Sequence, residues 1–215
     1  MRVQLRAQQL IRRTASAIAA TAVAFALLGG SALAAPPVVR DHIASAGAGA
    51  GQNVCVGTVC TATSVFAIVN SPGGPAQACL DITRYEQVGA NFVPLGYETG
   101  CAPIAESSLS IDTKGLSSAA LSPTEITVQA FTCAASGCNP TGTRTALVSA
   151  TYTGVGDLAT FRSNSKSAFG GCAMYFVGKG SSREAAATTL TIDGRSLEAP
   201  GSLFRSTQKI KVLCH

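Results

Sequence analysis

"SLSID" (residues 108–112) and "TLTID" (residues 189–193) are one phrase written twice, with an apolar residue at every second position, a hydroxyl between, and an aspartate at the end. In an extended chain successive side chains point to opposite faces, so Leu109 and Ile111 share a dry face while Ser108, Ser110 and Asp112 share a wet one. Cys133 follows Asp112 by twenty-one residues, and Cys214 follows Asp193 by the same interval. A strand phrase followed twice by a cysteine at a fixed distance predicts duplicated, disulfide-tied β structure.

The chain around the phrase carries the same pattern. In "LDITR" Leu80 and Ile82 oppose Asp81 and Thr83, and further strand-like runs are "TSVFAIV", "NFVPLGY", "TEITVQAF", "RTALVSATY", "DLATFR", "CAMYFVG" and "QKIKVL". Between them stand turn clusters such as "NSPGGP", "VGAN", "ETG", "NPTG", "GVG" and "FGG". The one helical rival is "SSREAAATTL", where Ser181 and Glu184 have capping-box spacing before three alanines. A second internal alignment sets Cys55-x4-Cys60 on Cys133-x4-Cys138 at an offset of 78, against 81 for the first. The fold class expected is therefore all-β, as two tandem disulfide-stabilised immunoglobulin-like β-sandwich units at 53–132 and 133–215. One merged β-sandwich or barrel is the alternative.

Residues 1–34 have the pattern of an export signal: a basic lead of Arg2, Arg6, Arg12 and Arg13, the apolar run Ala15 to Leu28, and "ALA" at Ala32 to Ala34. That apolar run is too short to span a bilayer, and no later stretch resembles a span. Without the signal, twelve Lys and Arg face eleven Asp and Glu, so overall charge makes no case for nucleic acid. Residues 35–52, "APPVVRDHIASAGAGAGQ", have little bulk to bury and are expected to form a flexible arm. An Ala-rich leader points to a bacterial source, and to a product that is secreted or periplasmic.

All eight cysteines, Cys55, Cys60, Cys79, Cys101, Cys133, Cys138, Cys172 and Cys214, lie beyond the signal. An even count in an exported chain reads as four bridges. Metal binding competes, but the two histidines, His42 and His215, sit in the expected arm and at the last position. Six residues closing a tight antiparallel turn bring their ends to roughly 5 Å, which favours Cys55–Cys60 and Cys133–Cys138. Cys172–Cys214 and Cys79–Cys101 complete that scheme. A competing scheme joins Cys133 to Cys79 or Cys101 and leaves Cys138 to the other. Loop entropy assigns ~2 kcal/mol to each short bridge and ~4 kcal/mol to Cys172–Cys214, whose loss is expected to unfold its unit.

Catalytic machinery is scarce. No G-x-S-x-G elbow occurs, neither histidine falls inside a strand-like segment, and oxidised cysteines offer no nucleophile. "GVGDLA" (154–159) matches a dinucleotide pattern, but the polar "TFRSNSKSAFGG" after it has no helical periodicity, so it reads as a hairpin. "GKGSS" (178–182) also reads as a turn. Asp112 and Asp193 stand at strand ends before "TKG" and "G", where turn capping is the ordinary role. No catalytic residue, cofactor or metal site is assigned.

Charge is uneven along the chain. Residues 51–132 carry two cations against six acids, a balance of −4, and residues 133–215 carry nine against four, a balance of +5. The clearest group is Arg162, Lys166, Lys179 and Arg183, in which Arg162, Asn164 and Lys166 share strand parity. These four are the candidate site for an anionic partner, an acidic envelope component or a secreted protein. The function expected is that of an exported, non-enzymatic β protein with a structural or ligand- or surface-binding role. The alternative is an inhibitor of secreted hydrolases, presenting a disulfide-held loop such as "VGTV" (56–59) or "AASG" (134–137).

Overall fold

Alternation of small or branched apolar residues with polar ones resolves into nine strands: β1 (Val39–Val56), β2 (Val59–Ser71), β3 (Gln77–Val88), β4 (Asn91–Pro103), β5 (Leu109–Ile111), β6 (Ser118–Ala134), β7 (Gly137–Phe169), β8 (Cys172–Ile192) and β9 (Arg195–Cys214). The computed structural model describes residues 39–71, 74, 76–169 and 171–214. The expected export signal at 1–34 lies outside the described residues. The only helical element among those described is a single 3-10 turn, Glu106–Ser108. Ser181 and Glu184, the rival capping pair, lie within β8.

The strands form one antiparallel sheet in the order β4-β3-β2-β1-β9-β8-β7-β6-β5, and β4 also pairs with β6. That last pairing, Gly96↔Thr132 through Thr99↔Gln129, closes eight strands into a ring. Short β5 continues along the same edge of β6, with Leu109 opposite Leu121. The two expected tandem sandwiches are thus replaced by one continuous barrel-like sheet. Its first strand pairs with its last, Val39↔Val212 through Ala50↔Gly201, so no boundary falls at 132/133. The repeated phrase is real but local. Each copy is a strand, an aspartate-led turn and a returning strand, β5 to β6 at Asp112 and β8 to β9 at Asp193.

Eight strands leave an interior about wide enough for side chains to fill. Here Val65, Leu80, Ile126, Val128, Val148, Leu190 and Leu203 fill it, interleaved with Ala48, Ala67, Ala78 and Ala146. Burying each large side chain contributes about 1.5–3 kcal/mol. Outward positions such as Asp81, Glu125, Thr127 and Gln129 are exposed, and exposed apolar side chains such as Leu147 and Phe92 stand among them. Among the described residues no helix is long and apolar enough to cross a membrane.

The expected flexible arm is also corrected. From Val39 onward it is β1, hydrogen-bonded between β2 and β9. Ladder hydrogen bonds need only backbone, and small side chains admit larger neighbours. A Cβ on Gly47 would lie 2.4 Å from the ring of Phe204, so only glycine lets that ring lie across the strand. Phe204 stacks on Phe66 with centroids 5.7 Å apart, and the two aromatics supply the apolar cover that β1 lacks.

Three bridges, Cys55–Cys60, Cys79–Cys101 and Cys133–Cys138, staple adjacent strands. They fit an oxidising environment outside the cytoplasm. Cys172 is disulfide-bonded and faces Cys214 in the β8–β9 register. The side chain of Cys214, and with it the expected fourth bridge, lies outside the described residues.

Candidate anion-binding face

Strand length creates the site. β7 runs for 33 residues, but its pairing with β6 ends at Ser118↔Thr153, and β2 ends at Ser71 opposite Ala44. Beyond those points β7, β8, β9 and the start of β1 continue as a four-stranded blade.

Residues directly opposite one another in a sheet project from the same face. The register therefore writes out one face of the blade row by row. Arg162, Lys179 and Thr207 stand in the first row, Asn164, Val177, Lys209 and His42 in the second, and Lys166, Tyr175 and Lys211 in the third. Arg162, Lys166, Lys179, Lys209 and Lys211 are all exposed. The Lys166 ammonium sits 5.3 Å from the centre of the Tyr175 ring, as expected for a cross-strand pair. With strands about 4.8 Å apart and about 3.3 Å per residue, the five cations occupy an area about 10 Å by 13 Å.

The described strand positions in these rows hold no Asp or Glu. Both ion pairs found among the described residues belong to Arg144, which bridges Glu98 and Asp193 at 2.7 Å each, on the barrel. Like charges about 7 Å apart repel by roughly 0.6 kcal/mol per pair in water. A bound anion would offset that repulsion.

Of the four cations singled out in the sequence, the structure brings Arg162, Lys166 and Lys179 together and separates Arg183 from them. Arg183 donates from Nε to the Gly156 carbonyl at 3.0 Å and from a terminal nitrogen to the Gly115 carbonyl at 3.2 Å. It ties the β5–β6 loop, residues 112–117, to the barrel. Lys209 and Lys211 join the face although sequence reasoning placed them only in a strand. Their period-2 spacing was the available signal, but which strand they faced was not.

Asp112 holds its own turn, whereas the Asp193 carboxylate ties its turn to β7. The Asp112 carboxylate accepts from the backbone of Lys114, Gly115 and Ser117 at 3.0, 3.3 and 3.2 Å and from the Ser117 hydroxyl at 2.6 Å. These donors, the Ser117 hydroxyl foremost, lower its pKa to about 2. Asp193 has φ 52°, opens the β8–β9 turn, and accepts from the Leu147 amide at 2.9 Å, the main reason its pKa is also lowered. The two loops proposed for enzyme inhibition are tight hairpin turns, closed by Val56↔Val59 and Ala134↔Gly137 beside their disulfides. Among the described residues no group of three or more His, Cys, Asp or Glu is placed to hold a metal ion.

No protein-family model, no curated protein and no solved structure matches this chain, so its functional reading rests on the cationic face alone.

Proposed function

We propose that this is an exported, non-enzymatic bacterial protein, released from a 34-residue signal, whose blade binds an acidic envelope component. The observation that carries this reading is the register that stacks Arg162, Lys166, Lys179, Lys209 and Lys211 on one face with no carboxylate among them. Neighbouring cations on that face lie within the Debye length of about 8 Å at physiological salt, so an extended anion feels them together. Near an anionic surface each contributes about 1 kcal/mol, hence about 5 kcal/mol for the set. The barrel supplies a stapled base that holds the blade in one geometry, so little ordering entropy opposes binding. The hydrolase-inhibitor alternative has less to support it, because its two loops offer only two-residue turns for insertion.

The test is retention of the mature protein on an anionic matrix at physiological salt. Wild type is expected to be retained, and the double reversals Arg162→Glu/Lys166→Glu and Lys209→Glu/Lys211→Glu are each expected to elute at least tenfold earlier in salt-normalised affinity. Equal elution of all three proteins would remove the proposal.

A further inference from the structure

The blade and the barrel meet at a cavity of about 550 Å³. Two rows of the sheet line it: Ser71, Ala44, Thr207 and Lys179 across β2, β1, β9 and β8, then Val69, Ala46, Arg205 and Ser181 one step deeper. The next row down, Ala67, Ala48 and Leu203, is fully buried and forms the floor. Thr113, from the loop that Asp112 organises, lies over one side. This is the mouth of the barrel, a position where ligand cavities recur, and the volume lies in the ordinary range for small molecules.

Its chemistry is divided. One wall is apolar and made of small side chains, Ala44, Ala46 and Val69, which leave room where the rest of the barrel is filled by Leu and Val. The other wall carries Lys179 and Arg205, with hydroxyls from Ser181 and Thr207 and, among the described residues, no carboxylate. One terminal nitrogen of Arg205 donates to the Thr113 carbonyl, which fixes the guanidinium at the wall. A guanidinium has five donors, so most remain for a ligand.

We propose that this cavity binds a small amphiphilic anion, with its carboxylate or phosphate head against Lys179 and Arg205 and its apolar body along Ala44, Ala46 and Val69. The site is separate from the second and third rows of the blade and shares Lys179 and Thr207 with the first.

Calorimetric titration of the mature protein with octanoate, octyl phosphate and the uncharged octyl glucoside tests it. At least one octyl anion is expected to bind at one site per chain, at least tenfold more tightly than octyl glucoside and than inorganic phosphate, and the better anion identifies the head group. Ala46→Phe, which fills the cavity without changing charge, is expected to weaken that binding at least tenfold. Thr207→Phe at the exposed rim does the same where Ala46→Phe fails to fold. Lys179→Met is expected to cost about tenfold. Lys166→Glu/Lys211→Glu, which reverses the row of the surface site furthest from the cavity, is expected to leave octyl-anion affinity within threefold of wild type. Binding of neither anion, equal binding of octyl glucoside, or full affinity in the filled variants would overturn the proposal.

Discussion

Replacing Gly100 by alanine tests whether the sheet closes. A Cβ at Gly100 would lie 2.1 Å from the carbonyl oxygen of Thr127 and 2.9 Å from the Val128 Cα, where real contacts begin near 3.4 Å. The obstacle is backbone of β6, whose neighbours Ile126 and Val128 are fully buried. β6 cannot retreat by more than 1 Å without dragging both out of the core. Either the interior absorbs the strain, at about 1–3 kcal/mol for overpacking, or the seam from Gly96↔Thr132 to Thr99↔Gln129 opens. Loss of about four ladder hydrogen bonds at about 1 kcal/mol each costs ~4 kcal/mol. The expected loss is therefore about 3 kcal/mol, read from urea unfolding of the oxidised protein by far-ultraviolet dichroism. Gly89→Ala is the control, since Gly89 has φ 63° with open space around its missing Cβ and should lose only about 1 kcal/mol from backbone strain. If Gly100→Ala unfolds at or above the urea midpoint of Gly89→Ala, β4 and β6 do not meet as described.

Three further outcomes are expected. Removing Cys79–Cys101, whose partners are 22 residues apart, should cost ~3 kcal/mol, against ~2 kcal/mol for Cys133–Cys138 with a separation of 5; equal urea midpoints for the two double-alanine variants would contradict the loop argument. Asp112 and Asp193 have folded pKa values below their unfolded ones, so their contribution is present above the ordinary value of 3.8 and is lost as pH falls through the folded values, about 2 for Asp112. Melting temperature should drop over that window, and Asp112→Asn should flatten the drop; an unchanged acid limb in that variant would refute the assignment. The Tyr152 hydroxyl is buried without a hydrogen-bond partner among the described residues, and burial pushes its pKa up to about 12. Tyr152→Phe removes that unsatisfied group and should gain about 1 kcal/mol in urea unfolding, whereas a loss of that size would show that the hydroxyl is bonded.

Local chemistry was legible in the sequence, and long-range closure was not. Period-2 alternation places Leu80, Ile111 and Val128 inward, and six-residue spacing identifies Cys55–Cys60 and Cys133–Cys138, because both are decided by neighbours along the chain. The choice between two sandwiches and one ring depends on β4 meeting β6, and its signal is a pair of glycines: Gly96, inside the strand-like run "NFVPLGY", and Gly100, which reads as turn punctuation in "ETG". Their true constraints are the carbonyls of Phe131 and Thr127 on β6, about 35 and 27 residues further along the chain. β1 misled for the same reason: "ASAGAGAG" has nothing to bury by itself, yet Gly47 is required by Phe204, on the last strand. At the candidate face, strand parity correctly joined Arg162 to Lys166. It could not add Lys209 and Lys211, which arrive through the β8–β9 register, nor withdraw Arg183, which is claimed by the Gly156 carbonyl on β7 and the Gly115 carbonyl of a distant loop.

The central claim is that one face of the blade meets the acidic partner, and amide chemical shifts during titration of the isotope-labelled mature protein with a soluble acidic polysaccharide test it most directly. Shifts concentrated at residues 160–168, 173–181 and 205–213, with residues 77–103 undisturbed, are the expected result. Shifts spread over the barrel, or centred on the acidic strands β3 and β4, would contradict it.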